Sequence, residues 1–236
     1  MLFDSSELLW GLIYAETYVL LQPNNNERVT EMSRLMGECY AGNLKIERDS
    51  IGALKNIKVT LASDKPIMVN ENGTEFRVNF TTLYEACIGR ALSVMAITDK
   101  SMTTDSLENI KTLSVIRENA LLNYNSCGQP FGDSMYLMVY LTKLYEAGHW
   151  EAYNYWLLSA AYPEEWREWY DNNEVKLKAF IDWYNDGNVI TLDGRHTVGM
   201  TTVDRYYQAI DAHRAVEFLS GGKLEKTCES NEPERD

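Results

Sequence analysis

The sequence predicts a mainly α fold, an array or bundle of helical hairpins that carries two short β-hairpins. Three observations point to it. Apolar residues recur at i, i+4 and i+8 over most of the chain, the stripe of an amphipathic helix. That period breaks at Asn72-Gly73 and at Asp193-Gly194, each flanked by short apolar and β-branched runs. Asx-Gly supplies the two φ > 0 residues of a tight hairpin turn. Finally, the stretch from Ser134 to Asn185 holds five of the six tryptophans and eight of the fifteen tyrosines, and rings of this size bury about 150–250 Å² each.

Taken in order, Asp4 followed by Glu7 reads as a helix start, and Leu8, Leu9, Leu12, Ile13, Glu16 and Leu20 give a mostly apolar helix ending before Pro23. A second helix, about Glu27 to Ala41, buries Val29, Met32, Leu35, Met36 and Cys39, and Gly42 closes it. A third, Ser50 to Ala62, carries Gly52 and the β-branched Ile57 and Val59, so a strand is its other reading. The first hairpin covers residues 67–79, after which Thr82 with Glu85 forms a capping box. Asp105 with Glu108 opens a helix that runs to Tyr124, and residues 125–130 read as a linker.

The aromatic stretch divides into three helices, about Ser134–Ala147, Trp150–Ala161 and Pro163–Asp186. Gly148 and Gly187 stop the first and third, and Pro163 suits a first turn. On the third, Trp166, Trp169, Tyr170, Leu177, Phe180, Ile181 and Tyr184 make the stripe, and Asn173 stands where an apolar residue is expected. The second hairpin covers 189–200, and Thr201 with Asp204 can cap a helix through Tyr206, Ala209, Ile210, His213 and Val216. The organisation expected is a helical lobe over 1–124, an aromatic lobe over 131–222 and a polar, disordered acidic tail over 223–236.

The halves can be overlaid at an offset of about 120 residues. Asn72-Gly73 meets Asp193-Gly194, and Leu54, Ile57 and Leu61 meet Leu177, Phe180 and Tyr184. An internal pseudo-duplication is one reading, and chance alignment of amphipathic helices is the other.

The formal net charge of −13 argues against electrostatic binding of nucleic acid or anionic membranes. No apolar run approaches the roughly 20 residues of a membrane span, and the acidic start reads as lacking a secretory leader. Cys39, Cys87, Cys127 and Cys228 are scattered with no C-x-x-C pair. A reduced, cytoplasmic setting with four free thiols follows, without a zinc site.

Tyr145-Glu146-Ala147-Gly148-His149-Trp150-Glu151, with Ala160 ten residues beyond Trp150, resembles the turn and second helix of a tetratricopeptide repeat. The resemblance covers about 30 residues and implies helical-hairpin packing. Tyr153 stands where that family places a small residue, and Pro163 falls two residues early.

No phosphate loop, dinucleotide fingerprint, H-E-x-x-H or nucleophile elbow is present. Glu146-x-x-His149 has the spacing of a helical metal pair but is interrupted by Gly148, so a surface turn is the better reading. Asp193 with His196 reads as turn chemistry, and His213 as a core histidine. Cys127 lacks a nearby histidine or basic cluster in sequence, which argues against a nucleophile. Glu164, Glu165 and Glu168 suit the positive end of a helix dipole.

The expected function is therefore a non-enzymatic module that binds a protein partner, a basic one by charge, through an aromatic, acid-rimmed helical surface. Its candidate residues are Trp150, Trp156, Trp183, Tyr155, Glu164 and Glu168. No cofactor or metal is expected. The other readings are an enzyme or small-ligand binder with an aromatic-lined pocket between lobes, and an acidic mimic of nucleic acid. Trp183, at the margin of its stripe, is expected either to pack under the second hairpin or to join the contact surface.

Overall fold

The computed structural model describes residues 7–24, 26–62, 67–68, 75–127, 135–190 and 208–211. The chain is mainly helical. Its elements are α1 (Leu8–Leu21), α2 (Asn26–Asn43), β1 (Leu44–Arg48), β2 (Leu54–Val59), β3 (Ile67–Met68), β4 (Glu75–Val78), α3 (Phe80–Thr98), a 3₁₀ turn (Asp105–Leu107), α4 (Ile110–Ser126), α5 (Tyr136–Glu146), α6 (Trp150–Leu157), α7 (Pro163–Asn185) and β5 (Gln208–Asp211). No helix among the described residues is long and apolar enough to cross a membrane.

The helices expected from periodicity form, with shifted ends. α4 runs two residues beyond Tyr124, into the expected linker, and starts at Ile110. Its cap is Asn109, whose side chain accepts from the Thr112 amide, rather than Asp105. α3 likewise starts at Phe80 under Asn79, not at a Thr82–Glu85 box. Glu85 instead accepts the amides of Leu61 and Ala62 at 2.6 and 2.5 Å, fastening the incoming chain to α3.

Two segments differ in kind. Between α2 and the first hairpin the strand reading holds, because Ile57 and Val59 pair Leu54–Val59 antiparallel with β1. Gly52, at φ 81°, turns the chain between them. Asp49 accepts the Ile51 and Ala53 amides across that turn. Nothing in the sequence had marked β1. The second correction concerns the expected last helix: Gln208–Asp211 is a strand, antiparallel to β4 with Ile210 opposite Phe76. β3 pairs antiparallel with β4 as expected, Ile67 opposite Arg77 and Met68 opposite Phe76, and such a pair leaves a row of backbone donors and acceptors on β4 that a third strand can satisfy.

The overlay of the two halves fails at Leu54 and Ile57, which lie in β2 while Leu177 and Phe180 lie in α7. Asn72-Gly73 and Asp193-Gly194, which also suggested it, lie outside the described residues. The hairpin expected at 189–200 lies outside the described residues from 191 onward, as do Asp193, His196, His213 and the 223–236 tail.

One hydrophobic cluster takes in residues from Leu9 to Ile190. α1 is buried on nearly every flank, and α4 packs against α3, α5 and α6. α2 approaches the turn after α6 closely enough that a Cβ on Gly37 would lie 2.4 Å from that of Ala161. α7 bends at Asn173, where φ −135° and ψ 24° leave the helical region. The Asn173 amide side chain donates to the Trp169 carbonyl at 2.9 Å. The polar residue that interrupted the stripe is thus the kink itself.

Candidate functional site

The aromatic side chains of α6 and the first half of α7 form a ladder. Residues 166, 169 and 170 share a face because three and four residues are close to one helical turn. The ring of Tyr155 on α6 stacks on Trp169 at 4.5 Å and 11°, and Trp169 stacks on Trp166 at 5.8 Å. Trp166 then meets Tyr170 at 5.7 Å. Tyr155 and Trp169 are buried, each 7% exposed, whereas Trp166 and Tyr170 are half-buried at the outer end.

Two carboxylates lock this stack. Glu151 accepts the Trp169 indole N–H at 2.9 Å and the Lys176 ammonium at 2.7 Å. Burial would raise its carboxyl pKa, and these two donors outweigh that and hold it below the ordinary value. Glu165 accepts the Tyr155 hydroxyl at 3.2 Å and also the amides of Ile110 and Lys111 at the start of α4. Burial, followed by the neighbouring Glu165, pushes the Tyr155 phenol well up.

The residues singled out from the sequence fall in three places. Trp150 and Tyr155 are core and offer no open ring: Trp150 is 5% exposed and its indole N–H donates to the Ser114 carbonyl at 3.1 Å. Their inclusion in a contact surface is corrected, because α4 and α7 cover them. Trp156 is half-buried against Tyr153 and Phe180. Glu164 and Glu168 are exposed, but at 100° per residue they lie about 160° around α7 from Trp166 and Tyr170. With Asp171 they make an acidic stripe on the outer face at i, i+4 and i+7. In the sequence Trp166 and Tyr170 count only as stripe residues; the signal that sets them apart is the aromatic run 166, 169, 170 ending at the polar Asn173.

Trp183 is half-buried. It packs on His149 at 5.1 Å and Tyr140 at 6.3 Å, with the Lys143 ammonium 5.8 Å from its ring centre. The Glu146–His149 turn is therefore an aromatic contact and not a ligand pair. Gly148 at φ 78° makes the turn, and burial lowers the His149 pKa.

The densest polar group lies in the core. Glu16 of α1 accepts from Arg117 of α4 and from the Tyr153 hydroxyl, the latter at 2.6 Å. Arg117 also donates to Asn154 Oδ1 at 2.6 Å and sits 5.7 and 5.9 Å from the ring centres of Trp150 and Tyr153. Burial opposes the Arg117 charge, but Glu16 and the surrounding tyrosines outweigh it, so its pKa is raised. Glu16, Arg117 and Asn154 are 5%, 2% and 0% exposed. The closed shell leaves no room for a substrate beside the carboxylate. Glu16 stands in the sequence as a charge on a mostly apolar helix, but nothing there pairs it with Arg117, 101 positions away.

A shallow groove of about 350 Å³ runs between β2 and α3, with Glu85 and Arg90 among its lining residues and no aromatic ring. It differs from the aromatic-lined pocket that the ligand-binding reading requires.

No family model matches the chain, and searches of curated proteins and of solved structures return no match either.

Proposed function

We propose that this protein is a non-enzymatic interaction module whose contact surface is the first half of α7. The observation that carries this reading is the rigid ladder Tyr155–Trp169–Trp166–Tyr170, buried at one end and open at the other. Half-open aromatic anchors on a braced support lose little side-chain entropy when they bind, which is why tyrosine and tryptophan dominate contact sites. Between Pro163 and Glu174 the helix carries five acidic side chains and one basic one. The fitting partner is a basic amphipathic segment whose apolar residues meet Trp166 and Tyr170. The acidic stripe of Glu164, Glu168 and Asp171, on the far side of α7, attracts its positive charge at longer range without touching it. The titratable groups suited to proton transfer, Glu16 and Tyr153, are sealed in the core, which weighs against an enzymatic reading of them.

The test uses a fluorescent synthetic lysine–leucine amphipathic peptide and the purified full chain. Trp166→Ala with Tyr170→Ala should weaken binding by about tenfold or more, the scale of losing a hot-spot anchor, with the circular dichroism unchanged. Glu164→Gln with Glu168→Gln should flatten the salt dependence. Equal affinity for wild type and the aromatic double variant would overturn the proposal.

A further inference from the structure

Two cysteines forty positions apart in sequence meet where α3 packs on α4. Cys87 on α3 is fully buried, and Cys127, immediately after the last residue of α4, is half-buried. Asn123 ties the two sites together: its Nδ2 donates to the Cys87 carbonyl at 3.2 Å, and the Cys127 Sγ donates to its own carbonyl at 3.3 Å. Each thiol shifts the ionisation of the other, and the guanidinium of Arg90 acts on both. Cys39, buried against α1, has no such sulfur partner among the described residues, and burial pushes its thiol up to about 12.

We infer that Cys127 and Cys87 form a hydroperoxide-sensitive dithiol, an oxidative modification site in which Cys127 reacts first and Cys87 resolves the product. The asymmetry of the pair sets this order. Cys127 is half-buried and open to a small oxidant while Cys87 is fully buried. The neighbouring Cys87 thiol, and then Arg90, also lower the Cys127 pKa against the opposing effect of burial, whereas Cys87 is raised, chiefly by burial. Sequence alone had argued against Cys127 as a nucleophile because Arg90 lies 37 residues away.

In the first step the Cys127 thiolate attacks hydrogen peroxide. An S–O bond forms, the O–O bond breaks, and the departing hydroxide takes a proton to leave as water. In the second, the Cys87 sulfur attacks the sulfenic sulfur of Cys127. The S–S bond forms, the S–O bond breaks, and the sulfenic oxygen leaves as a second water carrying the Cys87 proton. The dithiol loses two electrons and one peroxide gains them. The bond fastens the end of α4 to the middle of α3.

The full chain, reduced and then treated with hydrogen peroxide, should lose two thiols. Tryptic mapping should join the peptide containing Cys87 to that containing Cys127, and dithiothreitol should reverse the change. In Cys87→Ala, Cys127 should stop at the sulfenic acid and be trapped by dimedone; in Cys127→Ser, Cys87 should survive the same exposure. If the buried Cys87 variant fails to fold, the wild-type peptide map and the Cys127→Ser survival still decide. A disulfide mapped to Cys228 or Cys39, or a wild-type thiol count unchanged by peroxide, would overturn the assignment.

Discussion

Glu165, in the first turn of α7, caps a helix that begins 55 residues earlier: its Oε2 accepts the Ile110 amide at 2.6 Å. Its Oε1 accepts the next amide, that of Lys111, at 3.0 Å. A helix start leaves its first amides without intrahelical acceptors and carries a partial positive charge. At α4 the Asn109 side chain satisfies the Thr112 amide and a carboxylate from across the fold satisfies two more.

Glu165→Gln should keep the shape and lose the charge, lowering unfolding free energy by about 1–2 kcal/mol. Urea denaturation followed by far-UV circular dichroism measures it. The same variant should loosen the Tyr155–Trp169 stack, read as a weaker near-UV aromatic signal. No change in either signal would mean that the cap is dispensable.

Arg117→Met should cost about 3–5 kcal/mol, because it strands the Glu16 carboxylate in the core beside Tyr153. Adding Glu16→Gln removes the stranded charge, so the double variant should be more stable than the single one. Denaturant midpoints of the three proteins test this. A double variant less stable than Arg117→Met would contradict the account.

Much of the helical frame was legible because burial follows a 3.6-residue period that a sequence displays directly. The end of α1 before Pro23, the turn at Gly148 and the stop at Gly187 could be read from single residues whose backbone needs are local. What escaped depended on distant chain. Gln208–Asp211 has the apolar spacing of a helix and becomes a strand because β4 offers it an edge. Glu85 looked like part of a capping box and serves the Leu61 and Ala62 amides instead. The contact residues divided on the same line: tryptophans could be counted from sequence, but that α4 and α7 bury Trp150 and Tyr155 and leave Trp166 open is decided by packing.

His149 should give the fold a pH dependence near neutrality. Burial lowers its folded pKa below the unfolded value of about 6.5. The unfolded chain therefore binds the proton more readily. The stabilisation is complete above about 6.5 and is lost as pH falls through the folded value. The urea midpoint should drop between about pH 7.5 and 5.5, and His149→Phe, which keeps a ring against Trp183, should remove that part of the drop. An identical slope in the variant would assign the pH dependence elsewhere.

Gly37→Ala should destabilise by about 1–3 kcal/mol, the range for overpacking. Its new Cβ would stand 2.4 Å from the Ala161 Cβ and 3.3 Å from the Tyr162 ring. Ala161→Gly in the same chain should restore most of the loss. Thermal melts of the single and double variants check it, and absence of rescue would place the strain elsewhere on α2.

The buried Glu16 also has a history during synthesis. It leaves the ribosome on a helix with apolar residues on nearly every flank, while its cationic partner is 101 residues and its tyrosine donor 137 residues behind it. At about 5–20 residues per second, α1 waits roughly 5–20 s before Arg117 is even made. In that interval it can neither settle in a finished core nor rest in water at low cost. Nascent chains halted before residue 117 should therefore be held by chaperones that bind apolar segments, and chains halted beyond Tyr153 should be released.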